Sequence, residues 1–315
     1  MNPAAQIGES GPVPGSAAAQ AGATARPLAV CLVYATFGRA EILSRTFDAV
    51  ANQTVQPTSV IVSCANAADA GTLAGRDDVT VVTGPRGASR QRNRALQVLP
   101  PGTDVVVFFD DDFVPHPRWL EAVVGAFAAH PDIGAVTGNL LADGINGPGL
   151  SLDEAFARVA RGTTADTGWI EEPYSPYGCN MAFRCSMIAG LAFDERLVLY
   201  GWLEDRDFGA ALRRRSARIV KLGAALGVHM GVKRGRVAGI KLGYSQVVNP
   251  IYLNRKGTMA AGAVVDHIAR NTISNLVKAL RPEPYVDRAG RLRGNLRGVL
   301  DVLRGRVTPE RAELL

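Results

Sequence analysis

The sequence predicts an α/β fold: a mostly parallel sheet with helices on both faces, and a helical C-terminal extension. Three observations carry that expectation. Apolar runs of strand length alternate with amphipathic helical patterns through residues 28–130. The runs are apolar throughout rather than alternating, as strands buried on both faces read. From about residue 262 the pattern is helical, with no further strand.

The elements follow in order. LAVCLVY (28–34) is a short buried strand, and RAEILSRTFDAVANQ (39–53) places Leu43, Phe47 and Val50 on one face of a helix. TSVIVSCA (58–65) and VTVVTG (79–84) are the second and third strands; a Gly-containing turn leads from the latter into the helix ASRQRNRALQVL. TDVVVFF (103–109) is the fourth strand, followed by the helix PRWLEAVVGAFAAH (117–130). In sheets of this kind ligands bind beyond the carboxyl ends of the strands. The second half is less regular. It holds an aromatic- and Gly-rich stretch (168–183), a helix through FGAALRRR (208–215), a strand ARIVKL (217–222) and helices in AVVDHIARNTISNLVKAL and NLRGVLDVLRG.

Composition sets the outer bounds. The chain has 315 residues, 47% hydrophobic and 20% charged, with 34 Gly, 18 Pro and 4 Cys, which excludes a collagen or a disulfide scaffold. Residues 1–26 are Ala, Gly, Pro and Ser with few large apolar groups, so a disordered tail is expected. They lack the basic start and apolar block of a secretory signal. No run reaches the roughly 18 apolar residues of a membrane span. Four cysteines without a C-x-x-C pair point to reduced thiols. A soluble, cytoplasmic protein is expected.

Charge is unevenly placed. Residues 1–212 hold 14 Lys/Arg against 23 Asp/Glu, whereas residues 213–315 hold 21 against 6. An acidic body with a basic tail suggests a metal-using site joined to a part that meets anions; a solvated helical surface is the plainer alternative.

The strongest local signal is VVVFFDDDFVPHP. Asp110, Asp111 and Asp112 directly follow a buried strand. Carboxylates at i and i+2 past a strand point the same way, and a divalent cation relieves the repulsion among three adjacent negative charges.

These segments resemble the family 2 glycosyltransferases of GT-A type fold, in the family's order and over residues 28–256. VYATFGRAEILSRTFDAVANQT and PTSVIVS resemble its opening; GPRGASRQRNRAL its loop with an Arg-Asn pair; FFDDDFVP its Asp-x-Asp motif; GCNMAFR its Gly-x-Asn segment; FDERLVLYGWLEDRDFGAALRRR its Glu-Asp motif. VHMGVKRGR and NPIYLNRK close the match.

The resemblance implies inverting transfer of a sugar from a nucleotide diphosphate to a glycan or lipid-linked acceptor, with Mn2+ or Mg2+ as cofactor. It implies a cation on Asp110, Asp112 and His229, and a general base at Asp205, with Glu204 second. Thr36, Arg39, Cys64, Arg92, Asn93, Asp110 and Asp111 would meet the nucleotide sugar. Gly178, Asn180 and Trp202 would meet the sugar or acceptor, and Tyr177 is a further candidate for stacking. Lys233, Arg234 and Arg236 are candidates to clamp the diphosphate. The domain reading is a tail (1–26), a nucleotide-sugar-binding half (27–130), an acceptor-binding and catalytic half (131–260) and a basic helical extension (261–315).

One departure stands out. Where the family carries a base-binding Asp after its second strand, this sequence has Cys64, which lacks the two carboxylate acceptors. Asp69 compensates only if its loop folds back. A non-catalytic scaffold of a polysaccharide assembly complex and a sugar nucleotidyltransferase are the alternatives. ATFGRAE makes a poor triphosphate loop for the second. Nucleic acid is not an expected partner, since the basic tail lacks interleaved aromatics. Arg291, Arg293, Arg297, Arg304 and Arg306 suggest peripheral contact with an anionic membrane at its cytoplasmic face.

Overall fold

The computed structural model of the chain describes residues 26–163, 168–172, 175–234 and 237–315. The segment read as a disordered tail lies outside the described residues except for Arg26, and so does Arg236.

The parallel core forms where the apolar runs are. It comprises β1 (Val30–Thr36), α1 (Ala40–Ala51), β2 (Ser59–Cys64), β3 (Val79–Thr83), α2 (Ala88–Gln97) and β4 (Val105–Phe109). A 3-10 segment, Ala67–Gly75, joins β2 to β3. Then come β5 (Phe113–Pro115), α3 (Trp119–Ala129), β6 (Ile133–Asp143), α4 (Leu152–Arg161), β7 (Ile170–Glu171), β8 (Asn180–Arg184) and α5 (Cys185–Ile188). The chain continues through α6 (Glu204–Arg213), β9 (Arg218–His229), α7 (Gly239–Lys256), α8 (Ala261–Ala279) and α9 (Arg288–Leu303).

The strands make one sheet in the order β3-β2-β1-β4-β8-β6-β9-β5, with β7 beside β9. β3, β2, β1 and β4 run parallel; β8 is antiparallel between β4 and β6; β6 and β9 are parallel. The sheet is therefore continuous across residue 130. Both faces are buried, which is why its strands read as unbroken apolar runs. Leu32, Tyr34, Val107 and Phe109 pack on one side with Trp119, and Val33, Val106 and Phe108 on the other with Phe183 and Phe208.

Register brings distant segments together at one edge. Thr36 at the end of β1 pairs with Cys64 at the end of β2, and Phe109 at the end of β4 pairs with Asn180 at the start of β8. His229, at the end of β9, lies opposite both Phe113 and Asp143. Chain ends from both halves of the sheet thus converge beside Asp110.

The C-terminal helices pack on α7. Gly243 of α7 and Gly294 of α9 allow backbone contact, since a Cβ on Gly294 would lie 2.1 Å from the Ile240 carbonyl oxygen. A buried amide network holds the third helix: Asn275 of α8 donates to Gln246 of α7 (2.9 Å) and Asn295 of α9 (3.0 Å). No helix among the described residues is long and apolar enough to cross a membrane.

Candidate active site

The three aspartates after β4 divide by side. Asp111 turns inward and is wholly buried, where it accepts the Thr36 hydroxyl (2.7 Å) and pairs with Arg39 (2.8 Å). Burial pushes its carboxyl above the ordinary range; Asp112 adds to this and Arg39 opposes it.

Asp110 and Asp112 share the other side with His229. One ligand atom from each of the three lies within 4.8 Å of the others. Asp112 accepts the Val232 amide (2.8 Å), lies 3.4 Å from Arg39 and stands 3.5 Å from His229 Nε2. Burial raises its pKa, but His229, Arg39 and the Val232 amide outweigh that and hold it below the usual range. For His229, burial disfavours the charged ring, yet Asp112 and Asp143 raise its pKa to about 10. Two carboxylate oxygens and an imidazole nitrogen, with the ring's other nitrogen held by Asp143, are a donor set that suits Mn2+ or Mg2+.

Asp143, at the end of β6, is a site residue the sequence reading missed. Its Oδ1 lies 2.8 Å from His229 Nδ1, and its Oδ2 accepts the Tyr177 hydroxyl (2.9 Å). Tyr177 thus stands edge-on to His229.

A second cluster adjoins the first. Arg92, buried on α2, pairs with Glu204, approaches Asp110 at 3.4 Å and donates to the Gly178 carbonyl (3.2 Å). The Gly178 amide donates to Asp205 (2.9 Å), whose other oxygen accepts the Arg206 amide (2.7 Å). Glu204 is raised to about 8 by burial and by Asp205 beside it, against the pull of Arg92. Asp205 is also raised, because burial outweighs its two amide donors and Arg92. Asp205 stays half-buried, unlike Glu204.

Several sequence-based candidates are held in contacts within the protein. Cys64 is wholly buried and presents no surface to a bound base. Asn93 bonds both ways with Phe193 and also donates to Glu195, so its amide fastens the 193–195 segment. Trp202 donates its indole N–H to His267 on α8 (3.0 Å), which commits its edge to the helical extension. Asn180 accepts the Gly138 amide (3.2 Å) and is wholly buried, as is Asp111. Lys233 donates to the carbonyls of Gly144 and Ile145 at 2.9 and 3.0 Å and so fastens that turn. Thr36 donates its hydroxyl to Asp111.

The loop after β2 does fold back. Asp69 accepts the Gly38 amide (2.9 Å), which brings it to the β1–α1 turn. There it lines a cavity of about 440 Å³ with Arg39, Glu41, Arg45 and Arg234.

Residues 27–166 match the family described as glycosyltransferase like family 2. No curated protein matches the chain at a significant level. Among solved structures, the mannosyltransferase PcManGT from Pyrobaculum calidifontis, in complex with GDP-Man and Mn2+, is 18% identical, with a TM-score of 0.50 over 92% of this chain and 79% of that one. TarS 1–349 from S. aureus is 14% identical, with a TM-score of 0.53 over 91% of this chain and 83% of that one. Both likenesses are of fold.

Proposed function

We propose that this chain, whose residues 27–166 match the glycosyltransferase like family 2, transfers a sugar from a nucleoside diphosphate sugar to a glycan or lipid-linked acceptor hydroxyl, with inversion. The observation that carries the reading is the convergence of Asp110, Asp112 and His229 beside the Arg92–Glu204–Asp205 cluster. The structurally similar mannosyltransferase, solved with GDP-Man and Mn2+, supports a nucleotide-sugar donor and a cation.

In this reading Asp110, Asp112 and His229 hold a divalent cation, which when bound neutralises charge on the leaving diphosphate. Arg39, paired with Asp111 and lining the cavity, adds fixed positive charge at the same edge. The bond from the anomeric carbon to the diphosphate oxygen breaks as the bond to the acceptor oxygen forms. Asp205 takes the acceptor's proton; its raised pKa makes it a better base than an ordinary carboxylate. Arg92 holds Glu204 and Gly178 around it.

Thermal unfolding of the wild type and Asp112→Ala against UDP, GDP, CDP and dTDP, with and without manganese, tests this. A ligand at about 100 times its dissociation constant adds roughly 2.7 kcal/mol, a shift of several degrees. A manganese-dependent shift with one nucleotide, lost in Asp112→Ala, is expected. No shift with any of the four would overturn the donor site and favour the scaffold alternative.

A further inference from the structure

The exposed large apolar side chains are concentrated on the two C-terminal helices. On α8, Val265, Ile273, Leu276, Val277 and Leu280 are exposed, at spacings that put them on one face. On α9, Leu296, Val299, Leu300 and Leu303 do the same. Leu280 and Leu303 are 84% and 78% exposed, far beyond what partial packing leaves. The opposite sides of both helices carry the buried amide network, so the outward faces are the unpartnered ones. Contiguous apolar surface of this kind marks an interaction site.

The balance of charge around these faces is positive. Every acidic side chain from 261 onward is engaged within the protein. Asp266 pairs with Arg270, Glu283 with Arg288 and Lys278, Asp301 with Arg311, Glu310 with Arg196 and Glu313 with Arg90. Asp287 caps α9 through the Gly290 amide. Arg281, Arg293, Arg297, Arg304 and Arg306 are exposed, and among the described residues no carboxylate pairs with them.

We propose that the outward faces of α8 and α9 dock on an anionic membrane, with the leucines seated at the headgroup boundary and the free arginines on the phosphates. A helix with an apolar face and a cationic polar face lies in the membrane plane for these two reasons together. A second copy of the chain is the weaker occupant. Stacking two such faces would bring uncompensated arginines together with few carboxylates to meet them, whereas anionic headgroups supply the missing charge. The inner side of α8 reaches the candidate active site, because His267 accepts from Trp202, two residues before Glu204. Docking would therefore hold the site close to the lipid surface.

Flotation of the full chain with phosphatidylcholine vesicles, with and without phosphatidylglycerol, tests the proposal. Binding is expected only with phosphatidylglycerol and should weaken at high salt. Leu276→Ser combined with Leu280→Ser should lower the partition coefficient by about tenfold or more. Arg293→Gln with Arg297→Gln should lower it by roughly fivefold per arginine. All four positions are exposed, so circular dichroism should show unchanged folding. Asp112→Ala should float like the wild type, which separates this result from the outcome at the donor site. Absence of binding, or binding indifferent to lipid charge and to both variant pairs, would overturn the proposal. So would a dimer in light scattering that the serine variants convert to monomer without any flotation.

Discussion

His229 Nδ1 lies 2.8 Å from Asp143 Oδ1, across 86 residues of sequence. That contact fixes the ring, leaving Nε2 to face Asp112 and the candidate cation. An imidazole whose far nitrogen is held by a carboxylate is a more basic and better-oriented ligand. Asp143→Ala should therefore weaken manganese binding by roughly 10–100-fold. Titration of free manganese by paramagnetic resonance would read this directly. Unchanged affinity would overturn the positioning role of Asp143.

The proposed base gives a pH dependence with a definite sign. Burial raises Asp205 above the ordinary carboxylate range, and only its deprotonated form can accept a proton. Transfer should therefore be high at alkaline pH and fall as pH drops through that raised value. The acid limb of kcat/KM should lie above the ordinary Asp pKa of about 3.9. Asp205→Asn should remove activity by at least about 100-fold while leaving nucleotide-dependent stabilisation intact. If Asp205→Asn keeps both the rate and the limb, the base lies elsewhere.

Arg92 and Glu204 form a buried ion pair whose side chains are 5% and 7% exposed. Removing Arg92 takes the shared donor from Glu204, Asp110 and the Gly178 carbonyl at once. Arg92→Met should cost about 3–5 kcal/mol, measured by urea unfolding. Glu204→Gln should cost less, because burial already favours the protonated carboxyl and an amide can still accept from Arg92. A larger loss in Glu204→Gln than in Arg92→Met would contradict this account.

The first half of the fold was legible because its strands are buried on both faces and so read as unbroken apolar runs. Asp110 and Asp112 were legible for the same reason, since such a run leads straight into charge. The second half was legible only in part: α6, the start of β9, α8 and α9 were read, whereas β6, β8 and α7 were not. β6 carries Gly134 and Gly138, which read as turn residues, yet Gly138 is needed because a Cβ there would lie 2.5 Å from the Trp119 indole nitrogen. Asp143 ends that strand and went unread with it. α7 was hidden by Pro250 and by its two packing glycines. Arg92, Gly178, Glu204 and Asp205 do come together. Cys64, Asn93 and Trp202 are drawn into packing and loop fastening by contacts that only the folded chain creates.

Two glycine substitutions in helices should change stability in opposite directions. Gly125 lies exposed inside α3, and a Cβ there meets nothing within 4 Å. Alanine restricts the unfolded chain and favours the helix, so Gly125→Ala should stabilise by about 0.5–1 kcal/mol. Gly294 lies inside α9, and the same propensity gain applies. There, however, the added carbon would sit 2.1 Å from the Ile240 oxygen and 2.6 Å from the Tyr244 nitrogen, both backbone atoms of α7. Backbone cannot rotate aside as a side chain can, so the two helices must separate, which disturbs the buried Asn295 bond to the Gly243 carbonyl (2.8 Å). Overpacking of this kind costs about 1–3 kcal/mol and outweighs the propensity gain. Denaturant unfolding of both variants checks the pair, and a stabilised Gly294→Ala would mean that α9 does not seat against α7 as described.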